Sequence, residues 1–471
     1  MLLILLILSV CATASAADGV QVVFSSTLGF DDCDDIASDA QGNLYLACHS
    51  TRAPNDAASP GGTDAYMDAY VCKLNPKTNR LDYVTRLGGD GWDGASRVKV
   101  DGRGHAYAVG FTKSKNFPTT ANAIQSAYAG GDSDAFLVEI GPAGEILYST
   151  FIGGSGADQG NGLWLALNGE VYIAGTTWSS DFPGAAANRQ LGPGGNGDVF
   201  LASLSPGRAH ERRAVVFGGS AEEKLTGLIA DRGGSVFLAG YTLSADFPTH
   251  RPLQADLKGR GDAFIAKLQP GWQAFGFSTF FGGNGNDSAW GITINPDGNP
   301  VVAGISESTD LPTTSRASQR RLSGSADAFL MMLDSSGRSL MFSTYYGGSG
   351  TDHSGYDGGN IAVDSRGRAW LVGSTDSRDL PVPGAHQPAF GGGNLDGFVA
   401  AFSPAGRLCY GTYRGGNDRD LLEGVSFSSA STLYATGTAL PLQGLVGAAK
   451  VEGDRFGTII LGLRFDRFNC R

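Results

Sequence analysis

The sequence predicts an all-β protein, a seven-bladed β-propeller of four-stranded antiparallel blades, from two periodic markers and a recurring set of strand-like segments. Glycine is abundant, 71 of 471 residues, and much of it is periodic. A double glycine begins at Gly88, Gly153, Gly218, Gly282, Gly347 and Gly415, at spacings of 64 to 68 residues. A proline after an aromatic residue or leucine recurs at Pro118, Pro183, Pro248, Pro312 and Pro381, with spacings of 64 to 69 residues. Two unrelated markers with one period define a repeat array.

Each unit contains four short segments of strand character. Gly291 to Ile294 exemplifies the first, Val171 to Gly175 the second, Asp262 to Leu268 the third and Phe277 to Gly282 the fourth. They are rich in β-branched and aromatic residues and bounded by Gly, Pro, Asp or Asn. The first two are joined by tight turns such as Asp101-Gly102-Arg103-Gly104 and Asp231-Arg232-Gly233-Gly234, where Asp caps the turn and Gly accepts positive φ. Gly141-Pro142-Ala143-Gly144 and Ser403-Pro404-Ala405-Gly406 join the third to the fourth. Seven such units in an all-strand chain require a propeller, since a β-helix coil is far shorter and a sandwich does not repeat seven times.

Composition narrows the function classes. Hydrophobic residues make up 41% and charged residues 17%, enough apolar surface for a packed fold and inconsistent with general disorder. The net charge of −11, with no basic cluster, argues against nucleic acid as a partner. No apolar run is long enough to span a membrane as a helix. Residues 1–16 read as a signal peptide, an apolar Leu/Ile run ending in Ala14-Ser15-Ala16, although no Lys or Arg precedes that run. Cys11 is a poor lipidation site because the bulky Val10 precedes it. Residues 17–471 then form one propeller domain, and the expected location is secreted, cell-surface or periplasmic.

Run together, Asp134-Ala135-Phe136-Leu137-Val138, Pro142-Ala143-Gly144, Tyr148-Ser149-Thr150, Gly153 to Asp158 and Asp181-Phe182-Pro183 resemble the SBBP repeat, the bacterial seven-bladed β-propeller repeat family. The resemblance covers essentially all of the expected mature chain. It implies a secreted or surface-associated propeller and supplies no catalytic residues. The end units depart from it. The first has an insertion from Arg52 to Met67, and the last lacks the Asp-Ala-Phe and Asp-Phe-Pro marks. Val22 to Leu28 would close the ring as the outer strand of the last blade, but Gly457 to Leu463 competes for that place.

Candidate sites concentrate in the loops from the outer strand of one blade to the inner strand of the next. Four of these read Gly-Gly-x-Gly-x-Asp and end at Asp93, Asp158, Asp287 and Asp352. The motif matches the calcium repeat of β-rolls, but those copies stack at nine residues and these lie about 65 apart. The aspartates therefore either cap sharp turns or, less simply, hold calcium near one face. No other cofactor is indicated. The repeated aspartates Asp68, Asp134, Asp198, Asp262, Asp327 and Asp396 read as structural, because catalysis needs one asymmetric constellation.

The same loops should ring the channel mouth, and they carry Trp92, Asn161, Lys224, Trp290, His353, Tyr356, Asp357 and Arg419. Aromatic rings beside carboxylates and amides suit sugar or peptide recognition; the plainer expectation for Trp92 and Trp290 is that they wedge between blades as core. The least repetitive stretch, Asp352 to Gly359 in the sixth unit, is the first place to look for a special site. No metalloprotease, P-loop or nucleophile-elbow motif occurs. The expected function is that of a monomeric, non-catalytic binding or scaffold module for a protein or carbohydrate; the alternative is a propeller lyase or glycosidase with its site at the channel mouth. Among the cysteines of the mature chain, Cys33 and Cys48 face each other across a hairpin, with Cys48–Cys72 as the rival pairing, and Cys470 with Cys409 would tie down the tail.

Overall fold

A computed structural model describes residues 19–51, 66–190, 195–206, 212–355, 359–429, 431–439, 457–465, 468 and 470. The signal-peptide segment, most of the first-unit insertion, Tyr356 and Asp357 lie outside the described residues. The chain forms seven antiparallel blades. Blade 2 is representative, with strands Asp93–Val100, Ala106–Thr112, Asp134–Ile140 and Ile146–Ile152 in that order from the axis outward. Each inner strand packs against the inner strands on either side, and Asp32–Ser38 of blade 1 packs against Gly424–Ser429 of blade 7, so the ring is closed.

The two closure candidates both belong to blade 7. Its strand order from the outside is Gln21–Leu28, Gly457–Arg464, Thr432–Ala439 and Gly424–Ser429. The N-terminal segment is therefore the fourth strand and the C-terminal segment the third, and the two pair antiparallel, with Leu28 opposite Thr458. Blade 3 carries one further short strand, Ala185–Gln190, running parallel to Arg212–Phe217.

The turn chemistry acts as the sequence implies. Asp101 Oδ1 accepts hydrogen bonds from the Arg103 and His105 amides, and Gly104 closes the turn at φ +82°. The proline-marked loops do more than turn the chain. Phe117 is buried and stacks on Phe136 at 4.7 Å, and Phe182 stacks on Phe200 at 4.4 Å, so the residue before the proline anchors its loop on the blade core.

The inner strands share one irregularity that no residue type announces. In blades 1 to 5 the register with the second strand slips at Asp34, Ser96, Asn161, Thr226 and Trp290. A β-bulge leaves one residue unpaired and re-aims its side chain. Opposite the residue before the bulge stands a glycine in blades 2 to 5, for example Gly110 facing Ala95 and Gly175 facing Gly160. A Cβ there would meet the Gly94 or Gln159 carbonyl oxygen at 1.9 or 1.8 Å. Blade 1 has Cys33 and Cys48 at these two positions, and they form a disulfide. The second disulfide joins Cys409 to Cys470, and Cys72 is a buried free thiol. The rival Cys48–Cys72 pairing does not form.

Candidate functional site: the channel mouth

The bulges place chemically different side chains at one level of the ring. Three of them, Asp34, Ser96 and Asn161, line a cleft of about 140 Å³ on the face where the inner strands begin. His49 and Met67 of blade 1, Trp92, Asp93, Gly94 and Phe111 of blade 2, Gln159 of blade 3 and Lys224 of blade 4 complete it. Trp92 is 46% exposed and so does not wedge between blades as core. Below the bulge, the buried Arg97 donates to the Thr226 carbonyl at 3.2 Å, reaching past blade 3 to blade 4. Asp35 accepts from the Val98 amide and pairs with Lys99 at 3.2 Å. These groups crosslink the inner strands of blades 1, 2 and 4.

Of the residues read as candidates, Trp92, Asp93, Asn161 and Lys224 come together here. Trp290 is a neighbour, half-buried, with the Lys224 ammonium 5.6 Å from its ring centre. Asp352 and His353 belong to blade 6 and are not part of this cleft. Burial holds the His353 imidazole below its ordinary value, with Asp376 and Glu307 pulling the other way. The sixth-unit irregularity coincides with the bulge: its inner strand is split into Asp352–His353 and Ile361–Val363. Gly359 beyond the gap accepts from the Val425 amide of blade 7 at 2.9 Å.

The four motif aspartates each serve their own blade. Asp158 Oδ2 accepts from the Gly154 amide and the Ser179 hydroxyl, both at 2.8 Å. Asp93, Asp287 and Asp352 repeat this with Gly89 and Ser114, Gly283 and Ser308, and Gly348 and Ser377. Each also lies beside an aspartate of the other repeated series. A Cβ on Gly153 would sit 2.6 Å from Asp134 Oδ1 and 2.9 Å from Asp158 Oδ2, so the glycine leaves room for two buried carboxyls to approach. Among the described residues, one group of three potential metal ligands comes together, and it lies elsewhere: Asp32, Asp34 and His49. Sequence reading missed it, along with the bulge positions. No marker announced them: the residue three beyond each repeated acid varies, through Ser96, Asn161, Thr226 and Trp290, and its flanks vary with it.

Burial raises these paired carboxyls, Asp134, Asp262 and Asp396 to about 7 and Asp158, Asp352 and Asp420 to about 6. Asp158 repels Asp134, and Asp287 repels Asp262, adding to the shift. A raised folded-state value means the folded protein holds these protons more tightly than the unfolded chain does. Their contribution is complete below about 4, the free carboxyl value, and is lost as pH rises through 6 to 7. Asp181, Asp246 and Asp379 are lowered by bonds from Ser155, Ser220 and Ser349, and their contribution fades on acidification below 4. The unfolding midpoint should therefore be highest near pH 4, fall as pH rises through 6 to 7 and level off toward pH 8. Calorimetric scans across that range check this; a midpoint that climbs from pH 5 to 8 would contradict it.

Fold and site together define a seven-bladed β-propeller with a cleft at one mouth of its channel. No family model matches the chain. It is 26% identical to the regulatory protein FlaEY of Caulobacter vibrioides over 328 residues, 66% of this chain and 33% of that protein. The chain thus spans about a third of that relative's length. Among solved structures it is similar to the Pan2 WD40 domain of Neurospora crassa, with a TM-score of 0.47, 7% identity and 96% and 99% of the two chains covered. The Dos1 propeller follows at 0.42, 11% identity and 96% and 97% coverage. A gluconolactonase from Xanthomonas campestris stands at 0.37, 11% identity and 95% and 92% coverage.

Proposed function

We propose that the protein is a secreted, non-catalytic binding module that grips a saccharide unit of a larger glycan in the channel-mouth cleft. The observation that carries this reading is Trp92, half-exposed in a cleft whose other side chains, Met67 apart, are polar, charged or aromatic. A flat ring stacks on the apolar face of a sugar, while Gln159, Asn161 and Lys224 offer donors and acceptors to its hydroxyls. At about 140 Å³ the cleft is below the roughly 300–1,000 Å³ typical of enclosed small-molecule pockets, which suits one ring at the end of a longer ligand. Export is supported by the two disulfides and by the likeness of the repeats to SBBP units. Among the described residues no helix is long and apolar enough to cross a membrane.

A glycan array with the unaltered protein and Trp92→Ala tests the proposal. The expected result is a defined set of bound glycans whose affinity falls at least tenfold in the variant, since aromatic contacts of this kind contribute about 1–2 kcal/mol or more. Equal binding by both proteins removes the cleft from the account. Cleavage of any bound glycan, followed by mass spectrometry, would overturn the non-catalytic reading in favour of a lyase or glycosidase.

A further inference from the structure

We propose that Asp32, Asp34 and His49 form a zinc site at the rim of the cleft, with one coordination position open toward it. The register sets this up. Asp32 stands directly opposite His49, and the next pair along is Cys33 opposite Cys48, locked by the disulfide. Asp34 is the bulged residue, and its side chain reaches the same place: one ligand atom from each of the three lies within 4.8 Å of the others. His49 Nδ1 and Asp34 Oδ1 are 3.5 Å apart. Zinc bonds of roughly 2.0–2.2 Å in a tetrahedron put neighbouring ligand atoms about 3.4 Å apart, so this edge of the polyhedron is already formed.

The donor set narrows the metal. Calcium and magnesium take oxygen ligands, whereas one imidazole with two carboxylates suits a transition-row divalent ion, and zinc binds through such mixed nitrogen and oxygen ligands. Three protein ligands with a fourth position free is the arrangement of zinc sites that bind an exogenous group. A second observation comes from the same cleft. Asn161 is 7% exposed, lines the cleft that Asp34 and His49 also line, and its Oδ1 has no hydrogen-bond partner. A buried amide oxygen left unmatched costs free energy unless something in the cleft donates to it, and a zinc-bound water or a ligand hydroxyl would do so.

This proposal stands apart from the saccharide reading, because zinc uptake needs no glycan and is measured without one. Titration calorimetry of the chelator-treated full chain with zinc chloride should show one zinc per molecule. Affinity should fall at least tenfold in Asp34→Asn and in His49→Gln, both on the cleft rim and both checked for unchanged circular dichroism. Cobalt(II) provides a second readout: a tetrahedral visible spectrum in the unaltered protein, absent in His49→Gln. No zinc uptake by the unaltered protein, or uptake undiminished in both variants through one of the other histidines, would overturn the assignment. If glycan binding fails while zinc binding behaves as described, only the saccharide reading falls.

Discussion

Gly175→Ala should destabilise the protein by about 3 kcal/mol, at or beyond the upper end of ordinary overpacking costs. The new Cβ would lie 1.8 Å from the Gln159 carbonyl oxygen and 2.6 Å from the Phe200 ring. The first obstacle is backbone held in the inner-strand register on the approach to a bulge, so no rotamer change relieves it. Equivalent glycines at Gly110, Gly240, Gly304 and Gly373 meet carbonyl oxygens at 1.9 to 2.1 Å, and alanine there should cost a similar amount. Blade 1 alone carries a Cβ at this position, on Cys48, and there it is bonded across to Cys33. Gly102→Ala is the control, with nothing within 4 Å of its Cβ and an expected change within about 0.5 kcal/mol. Guanidinium unfolding at unchanged m-value reads the difference. Equal midpoints for the two variants would show that the strands can part at no cost.

The contrast between these glycines and the cleft shows what was legible in the residues. The blade count, the turn residues and the Cys33–Cys48 pair follow from local chemistry repeated in register, because a turn or a hairpin is decided by residues close in sequence. Ring closure was readable only as a choice, since Val22 to Leu28 and Gly457 to Leu463 carry the same strand pattern and nothing local says which lies outside. The cleft is harder still. It gathers Asp34, Trp92, Asn161 and Lys224 from four blades, and a bulge is a slip between two strands with no residue signature of its own. The zinc ligands were hidden for the same reason: Asp34 joins Asp32 and His49 through the bulge, and the first unit departs from the repeat that drew attention to the other aspartates.

The tail disulfide should matter more than the one in blade 1. Cys409 and Cys470 are separated by 61 residues, Cys33 and Cys48 by 15. The chain-entropy estimate gives about 4 kcal/mol for the longer loop and about 3 for the shorter. Packing widens the gap. The longer loop encloses all of blade 7 except its N-terminal strand, and it ties down a tail whose Phe465 and Phe468 pack on Trp370 at 4.5 and 5.7 Å. Arg368, buried beside them, donates to the Phe468 carbonyl at 2.9 Å. Releasing Cys470 frees this cluster to fray, and with it the Gly457–Arg464 strand on which Gln21–Leu28 hangs. Replacing the shorter bridge by Cys33→Ala with Cys48→Gly instead installs the alanine–glycine pair that blade 2 uses at Ala95 and Gly110, so little packing is lost. In guanidinium unfolding the Cys409→Ser/Cys470→Ser protein should therefore have the lower midpoint of the two, with Leu461 and Leu463 amides exchanging faster than those of blades 2 to 5. If the blade 1 variant is the less stable, the ring is held at the Cys33–Cys48 hairpin, and closure by the N-terminal strand contributes less than its place in blade 7 implies.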